Sequence, residues 1–391
     1  MDRAVPALLA ALLVVATTAP ALAVAPSPST ARTPIDGISA NTTDVLVLDS
    51  VQASTFDQAD LVVTAAIDAD AGELAATYET YRVQAAYDAA KTDRERERVL
   101  ENASQWLRTQ TETLMAAERH ARSRYATGET AARSYLATLG RLQLRADHLE
   151  TTIDRVDALR ARTDAPIDVD ALRPDLQTLQ GPIRQRLAAA VRGEGASGRT
   201  FVAVSPRGVV LAQERAGTYT RETVRLDNRD AAVGHLGFDA AEQRFADLYP
   251  WASAHKQRIS MGALGPDVFV VELTHTHGTV DAALDASTNQ VFREVQTKRL
   301  ADTPVDVGWN VTANETTLSV SRTYPGGPLH VAVLNATGAP VQANVVVNGT
   351  AVGSTGADGS LWTISPAGPY NVTAETADER LRVLVDPATE G

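Results

Sequence analysis

The chain contains no cysteine, which excludes disulfides, thiolate metal sites and lipidation through a thiol. Lysine is almost missing as well: only Lys91, Lys256 and Lys298 stand among 36 basic residues. Aromatic residues amount to 5%, and no basic face with aromatic platforms or recognisable nucleic-acid module occurs, so nucleic acid is not an expected partner. No long apolar run follows the first two dozen residues, and a mean hydropathy of −0.14 excludes a polytopic membrane protein. The sequence also lacks His-Glu-x-x-His, a Gly-x-Ser-x-Gly elbow, a phosphate-binding loop and a Gly-x-Gly-x-x-Gly fingerprint. No cofactor is implied.

What is present begins with acid. The net charge is −12, carried on an arginine-biased, alanine-rich chain of 391 residues, long enough for two or three domains. Hydrated carboxylates keep such a surface soluble while salt screens their repulsion, which fits a halophilic archaeon; a high-GC genome is the plainer alternative. The charge is uneven. Residues 36–90 hold ten acids against Arg82 alone, whereas residues 91–163 hold fourteen bases and eleven acids.

Residues 1–23 read as a signal peptide, with Arg3, an apolar stretch from Ala7 to Val15, and Ala21-Leu22-Ala23 as a small-x-small cleavage site. Left uncleaved, this segment would be the chain's membrane contact. Residues 24–40 form a Pro/Ser/Thr linker. Seven of the ten asparagines stand in Asn-x-Ser/Thr sequons: Asn41, Asn102, Asn310, Asn314, Asn335, Asn348 and Asn371. Chance predicts roughly one or two such triplets, so the excess supports export and glycosylation.

Residues 41–192 are expected to form a mainly helical domain. Leu100, Ala103, Leu107, Leu114, Ala117, Ala121 and Tyr125 recur at helical spacing, as do Leu139, Leu142, Ala146, Leu149, Ile153 and Val156. With Gly128 as the break, the pattern predicts an antiparallel helix hairpin or bundle, coiled-coil-like, whose outer faces leave oligomerisation open. Val45–Leu48 and Leu61–Ile67 fit either short strands or the approach to a helix. Residues 193–198 are a glycine-rich joint.

Residues 199–302 predict a small α+β domain: strands over 200–205, 209–213 and 219–226, a helix over 239–251, then strands over 268–274, 279–284 and 290–296. From Phe238 to Val295, the helix, the strand, the Gly278 turn, the strand and the final hairpin Leu284-Asp285-Ala286-Ser287-Thr288-Asn289-Gln290-Val291 resemble the PepSY domain of secreted proteins. Asn289 stands where that family usually has glycine; both accept the left-handed conformation. The resemblance implies an exported binding module, in some cases a peptidase inhibitor.

Residues 305–386 predict a β-sandwich of fibronectin III or immunoglobulin type. Val341, Ala343, Val345 and Val347 alternate with Gln342, Asn344 and Asn348, and Asn348-Gly349 and Asp358-Gly359 mark turns. The run from Gly338 to Ala374 resembles the fibronectin III-like and carboxypeptidase-regulatory-like modules of archaeal surface proteins. Taken whole, the multi-domain α+β chain resembles an uncharacterised family of haloarchaeal exported proteins.

Candidate chemistry is thin. His275 and His277, two apart on a strand, share a face and could begin a zinc site; a pair at a strand end is the plainer reading. Ser253 and Lys256 fit Ser-x-x-Lys without its companion Lys-Thr-Gly, and Asp164, Asp168, Asp170 and Asp175 lack calcium-loop spacing. The expectation is a non-enzymatic, secreted or cell-surface glycoprotein whose partners are other envelope proteins or glycans. The alternative is a secreted PepSY-like inhibitor or chaperone module.

Overall fold

The computed structural model describes residues 42–386 except 62, 164, 231–233, 235, 306, 325 and 367. The expected signal peptide, the linker, Asn41 and Asp164 lie outside the described residues. The chain opens with an extended strap over residues 42–49, then β1 (Ala53–Asp57) and three long helices, α1 (Val63–Ala89), α2 (Asp93–Ala126) and α3 (Ala132–Arg160). Thr92 and Glu95 close a reciprocal capping box at the start of α2. Gly128, at φ 77°, sits in the turn that reverses the chain into α3. Leu100, Leu107 and Leu114 of α2 pack against Leu142, Leu149, Ile153 and Val156 of α3, with Val83 and Tyr87 of α1 completing the bundle core. Two shorter helices follow, α4 (Arg173–Gln177) and α5 (Pro182–Arg192).

The middle of the chain builds one antiparallel sheet. Its strands are β2 (Thr200–Ser205), β3 (Gly208–Arg215) and β4 (Thr218–Arg225), then, after α6 (Phe238–Leu248) and α7 (Pro250–Ala254), β5 (Lys256–Ala263), β6 (Val268–His275), β7 (Gly278–Asp285) and β8 (Gln290–Arg299). The order is β1-β2-β3-β4-β8-β7-β6-β5. One open alternative is decided here and two expectations are corrected. The strand before the bundle is Ala53–Asp57, and Val63–Ile67 is helical, the start of α1. The helix expected over 239–251 is two helices, because Pro250 cannot continue the first. β5 was unexpected; its edge position leaves most of Lys256–Ala263 exposed, so no alternation marks it.

The α3 and α5 helices lie on one sheet face, where Tyr135, Leu136, Leu139, Ile183 and Leu187 meet Val202, Val204, Val209, Leu211 and Val224. The two helices approach closely at Gly140, where a Cβ would lie 2.7 Å from the Leu187 backbone. Phe245 of α6, Ala252 of α7 and Tyr249 between them pack in a separate core with Val271, Leu273, Val280 and Leu284. The sandwich then follows: β9 (Val307–Ala313), β10 (Thr316–Arg322), β11 (Pro328–Asn335), β12 (Asn344–Val347), β13 (Thr350–Ser354), β14 (Ser360–Ile364), β15 (Tyr370–Glu375) and β16 (Arg380–Val385). Its sheets run β14-β11-β10-β9 and β13-β12-β15-β16, closing over Val320, Val331, Val333, Val345, Val372 and Val383. Asn348 and Gly349 take φ 46° and 81°, the hairpin turn expected of them. Asp358-Gly359 does not close a hairpin, since β13 and β14 belong to different sheets.

Candidate functional site

Alternation along β8 sends Glu294, Gln296 and Lys298 to one side of the sheet, and all three are fully buried. What covers them is the strap. Leu46 N donates to Glu294 Oε2 (2.8 Å), Gln296 Nε2 donates to Asp44 O (2.6 Å), and Lys298 Nζ donates to Thr42 Oγ1 (2.8 Å). From β4, Arg221 reaches Leu46 O at 2.7 Å and Arg225 reaches Val47 O at 3.1 Å. A sheet face offers side chains and no backbone groups, so an extended segment crossing it is satisfied by long polar residues. Arg221 and Glu294 also form a buried ion pair at 3.1 Å, and the Tyr249 hydroxyl donates to Glu294 at 2.6 Å. Burial lowers the Lys298 amine to about 7, with Glu294 opposing and Arg221 assisting. Its Nζ lies 4.7 Å from the Tyr324 ring, so strap, sheet and sandwich meet at this residue.

The sandwich is joined firmly to the sheet. Ile364 packs with Phe201, Val210, Tyr219 and Leu300, and the Tyr219 hydroxyl donates to Gly326 O at 2.7 Å. The helices likewise share a core with β2 and β3, so the modules are fused rather than strung as beads.

His275 and His277 come together, but around an indole. His277 and His255 each stack on Trp251 (4.8 and 4.2 Å between centroids), and His275 meets it edge-on. The His277 amide donates to His275 Nδ1, so only Nε2 of that ring could take a metal. Burial, then the Lys298 charge, lowers His275 to about 4. Among the described residues no three His, Asp or Glu side chains gather as a metal site. The serine–lysine pattern does not assemble either: Ser253 is half-buried, Lys256 is exposed, and no hydrogen bond joins them. Of the described acids near α4, Asp168 accepts from Ala171 N, Asp170 pairs with Arg173, and Asp175 lies 3.9 Å from Arg229. Sequence reasoning missed two carboxylate pairs, one of them the buried Asp267 and Asp285, both held by Arg229 Nη1 at 2.6 and 2.7 Å. In the other, Glu272 and Asp281 oppose each other across β6 and β7 in a groove of about 350 Å³ also lined by Gln177 and Arg293.

The described sequon asparagines lie outside the core, while Ser104 and Thr373, the third residues of two sequons, are buried. Asn102, Asn310, Asn314, Asn335 and Asn348 are exposed and Asn371 is half-buried, its neighbours Tyr370 and Val372 pointing into the core. Where their side chains are held, the oxygen does the bonding: Asn335 Oδ1 accepts from Thr337 N, Asn348 Oδ1 from Asn371 N, and Asn371 Oδ1 from Arg382 Nε. No helix among the described residues is long and apolar enough to cross a membrane.

A helical bundle fused to an eight-stranded sheet and ended by a fibronectin-III-type sandwich defines a multidomain chain with a recognisable module at one end only. The model for an archaeal fibronectin-III type-like domain matches residues 310–383, and a family of unknown function (DUF7094) matches residues 200–304. The domain of unknown function DUF7096 matches residues 1–196, half of the chain, and the chain belongs to that family. No curated protein matches it.

Proposed function

We propose that this chain is an exported, non-enzymatic envelope protein of a halophilic archaeon, glycosylated on its sandwich and contacting other envelope proteins or glycans. The observation that carries this reading is the outward placement of the described sequons: five asparagines exposed, one half-buried, none in the core. Seven sequons in a chain with ten asparagines, an export-like N-terminus and an acidic surface agree with it. The test is glycopeptide mass spectrometry on protein drawn from native cell fractions, with a pull-down from the envelope fraction in high salt. Sugar on the sandwich sequons and recovery from the envelope are expected. Bare asparagines at all seven positions in protein recovered from the cytoplasm would end the proposal.

A second reading, a PepSY-like peptidase inhibitor, is favoured by the order α6-α7-β5-β6-β7-β8 with Asn289 at φ 55°. Against it, the sheet runs on through β4 to β1 as one eight-stranded unit. Stoichiometric inhibition of a co-exported protease would select it; unchanged proteolysis would remove it.

A further inference from the structure

The first long helix is apolar on two faces. Inward, Val83 and Tyr87 enter the bundle core. Outward, Ile67, Leu74, Tyr78 and Tyr81 are 62%, 71%, 68% and 73% exposed, half of the eight exposed large hydrophobics among the described residues. With the exposed Ala71 and Ala85 between and beyond them, the outer residues fall at 67, 71, 74, 78, 81 and 85. Steps of four and three are the a/d spacing of a coiled-coil seam, here about 27 Å long. A helix needing only one partner carries one such stripe.

The geometry points to a second copy of this chain as the occupant, with two α1 helices packed antiparallel through this seam. In that register Tyr78 meets Leu74 of the partner subunit, Ala71 meets Tyr81 of the partner subunit, and Ala85 meets Ile67 of the partner subunit. In two of the three layers a large side chain lies against an alanine, and two-fold symmetry repeats each layer, as an isologous interface requires. A parallel pair would set tyrosine on tyrosine and alanine on alanine, crowding some layers and emptying others. Sequence position adds charge: in that register, centred on position 76, Asp68 of one copy and Arg82 of the other fall within two residues of level, so opposite signs come near each other. A lipid surface suits the segment poorly, because residues 63–89 carry five acids against Arg82 alone. This inference does not rest on the reading of export.

The absence of cysteine makes the test direct. The full chain is examined by sedimentation equilibrium, alone and as the Leu74→Glu/Tyr78→Glu variant, with circular dichroism confirming that helix content is unchanged. A dimer is expected, weakened by at least about tenfold in the variant. Single-thiol variants then fix the direction with a short bismaleimide. Ala75→Cys, one residue from the centre of symmetry at position 76, cross-links, and Ala85→Cys does not, its two copies standing about 27 Å apart. A chain that is monomeric at every concentration, a dimer indifferent to the glutamates, or equal cross-linking through Ala85→Cys would each overturn the proposal. So would a monomer that co-sediments with anionic vesicles, which would assign the seam to lipid.

Discussion

Asp281 faces Glu272 directly across a strand pair, and burial first, then that neighbouring carboxylate, raises its own carboxyl from 3.8 to about 6, with Arg293 opposing. A folded carboxyl that holds its proton more tightly than the unfolded one penalises the fold once ionised. The penalty is therefore absent below 3.8, grows between 3.8 and about 6, and is complete above that. A shift of this size corresponds to about 3 kcal/mol, which solvent at a half-buried site screens to about 1–2 kcal/mol. Asp281→Asn is expected to stabilise the chain by that amount in neutral buffer and to leave it unchanged in acid below the unfolded value. Urea unfolding across that pH range measures this, and an equal gain in acid would refute the assignment.

The strap depends on residues far along the chain. Leu46 and Glu294 are 248 positions apart, and Glu294 alone serves Leu46, Arg221 and Tyr249. Glu294→Gln keeps the shape and removes the charge, stranding the buried Arg221 guanidinium at a cost of about 3–5 kcal/mol. Hydrogen exchange should show amides of residues 42–48 opening in this variant ahead of the sheet. Protection there equal to the wild type would show that the strap is held by its apolar side chains. The same element marks the limit of sequence reading. Alternation over 341–347 and the Asn348-Gly349 turn were legible because both are local. The strap was ambiguous because it is bound chiefly through its backbone, which leaves no side-chain period, and β1 is too short to show one. His275 and His277 were visible as a pair, but Trp251, which sits among them, is 24 residues from the nearer. The exposed apolar stripe on α1 is masked in the sequence by a second apolar face on the same helix.

Across the whole molecule, the sheet is the common partner. It shares one core with α3 and α5 and another with Ile364 of the sandwich, so no module closes its hydrophobic surface alone. Calorimetry of the full chain is expected to give one endotherm with matching calorimetric and van't Hoff enthalpies; a separate early peak would show an independently folding sandwich. Were the sequons glycosylated, the docked strap would also govern timing. Thr42 and Thr43, the second and third residues of the first sequon, are buried in the finished fold. A transferase that reads the third residue of a sequon would reach Thr43 only while the polypeptide is still open. On the sandwich, Asn310, Asn335 and Asn348 remain exposed after folding is complete. A chain that folds before meeting the transferase would therefore carry sugar late in its sequence and none at the start.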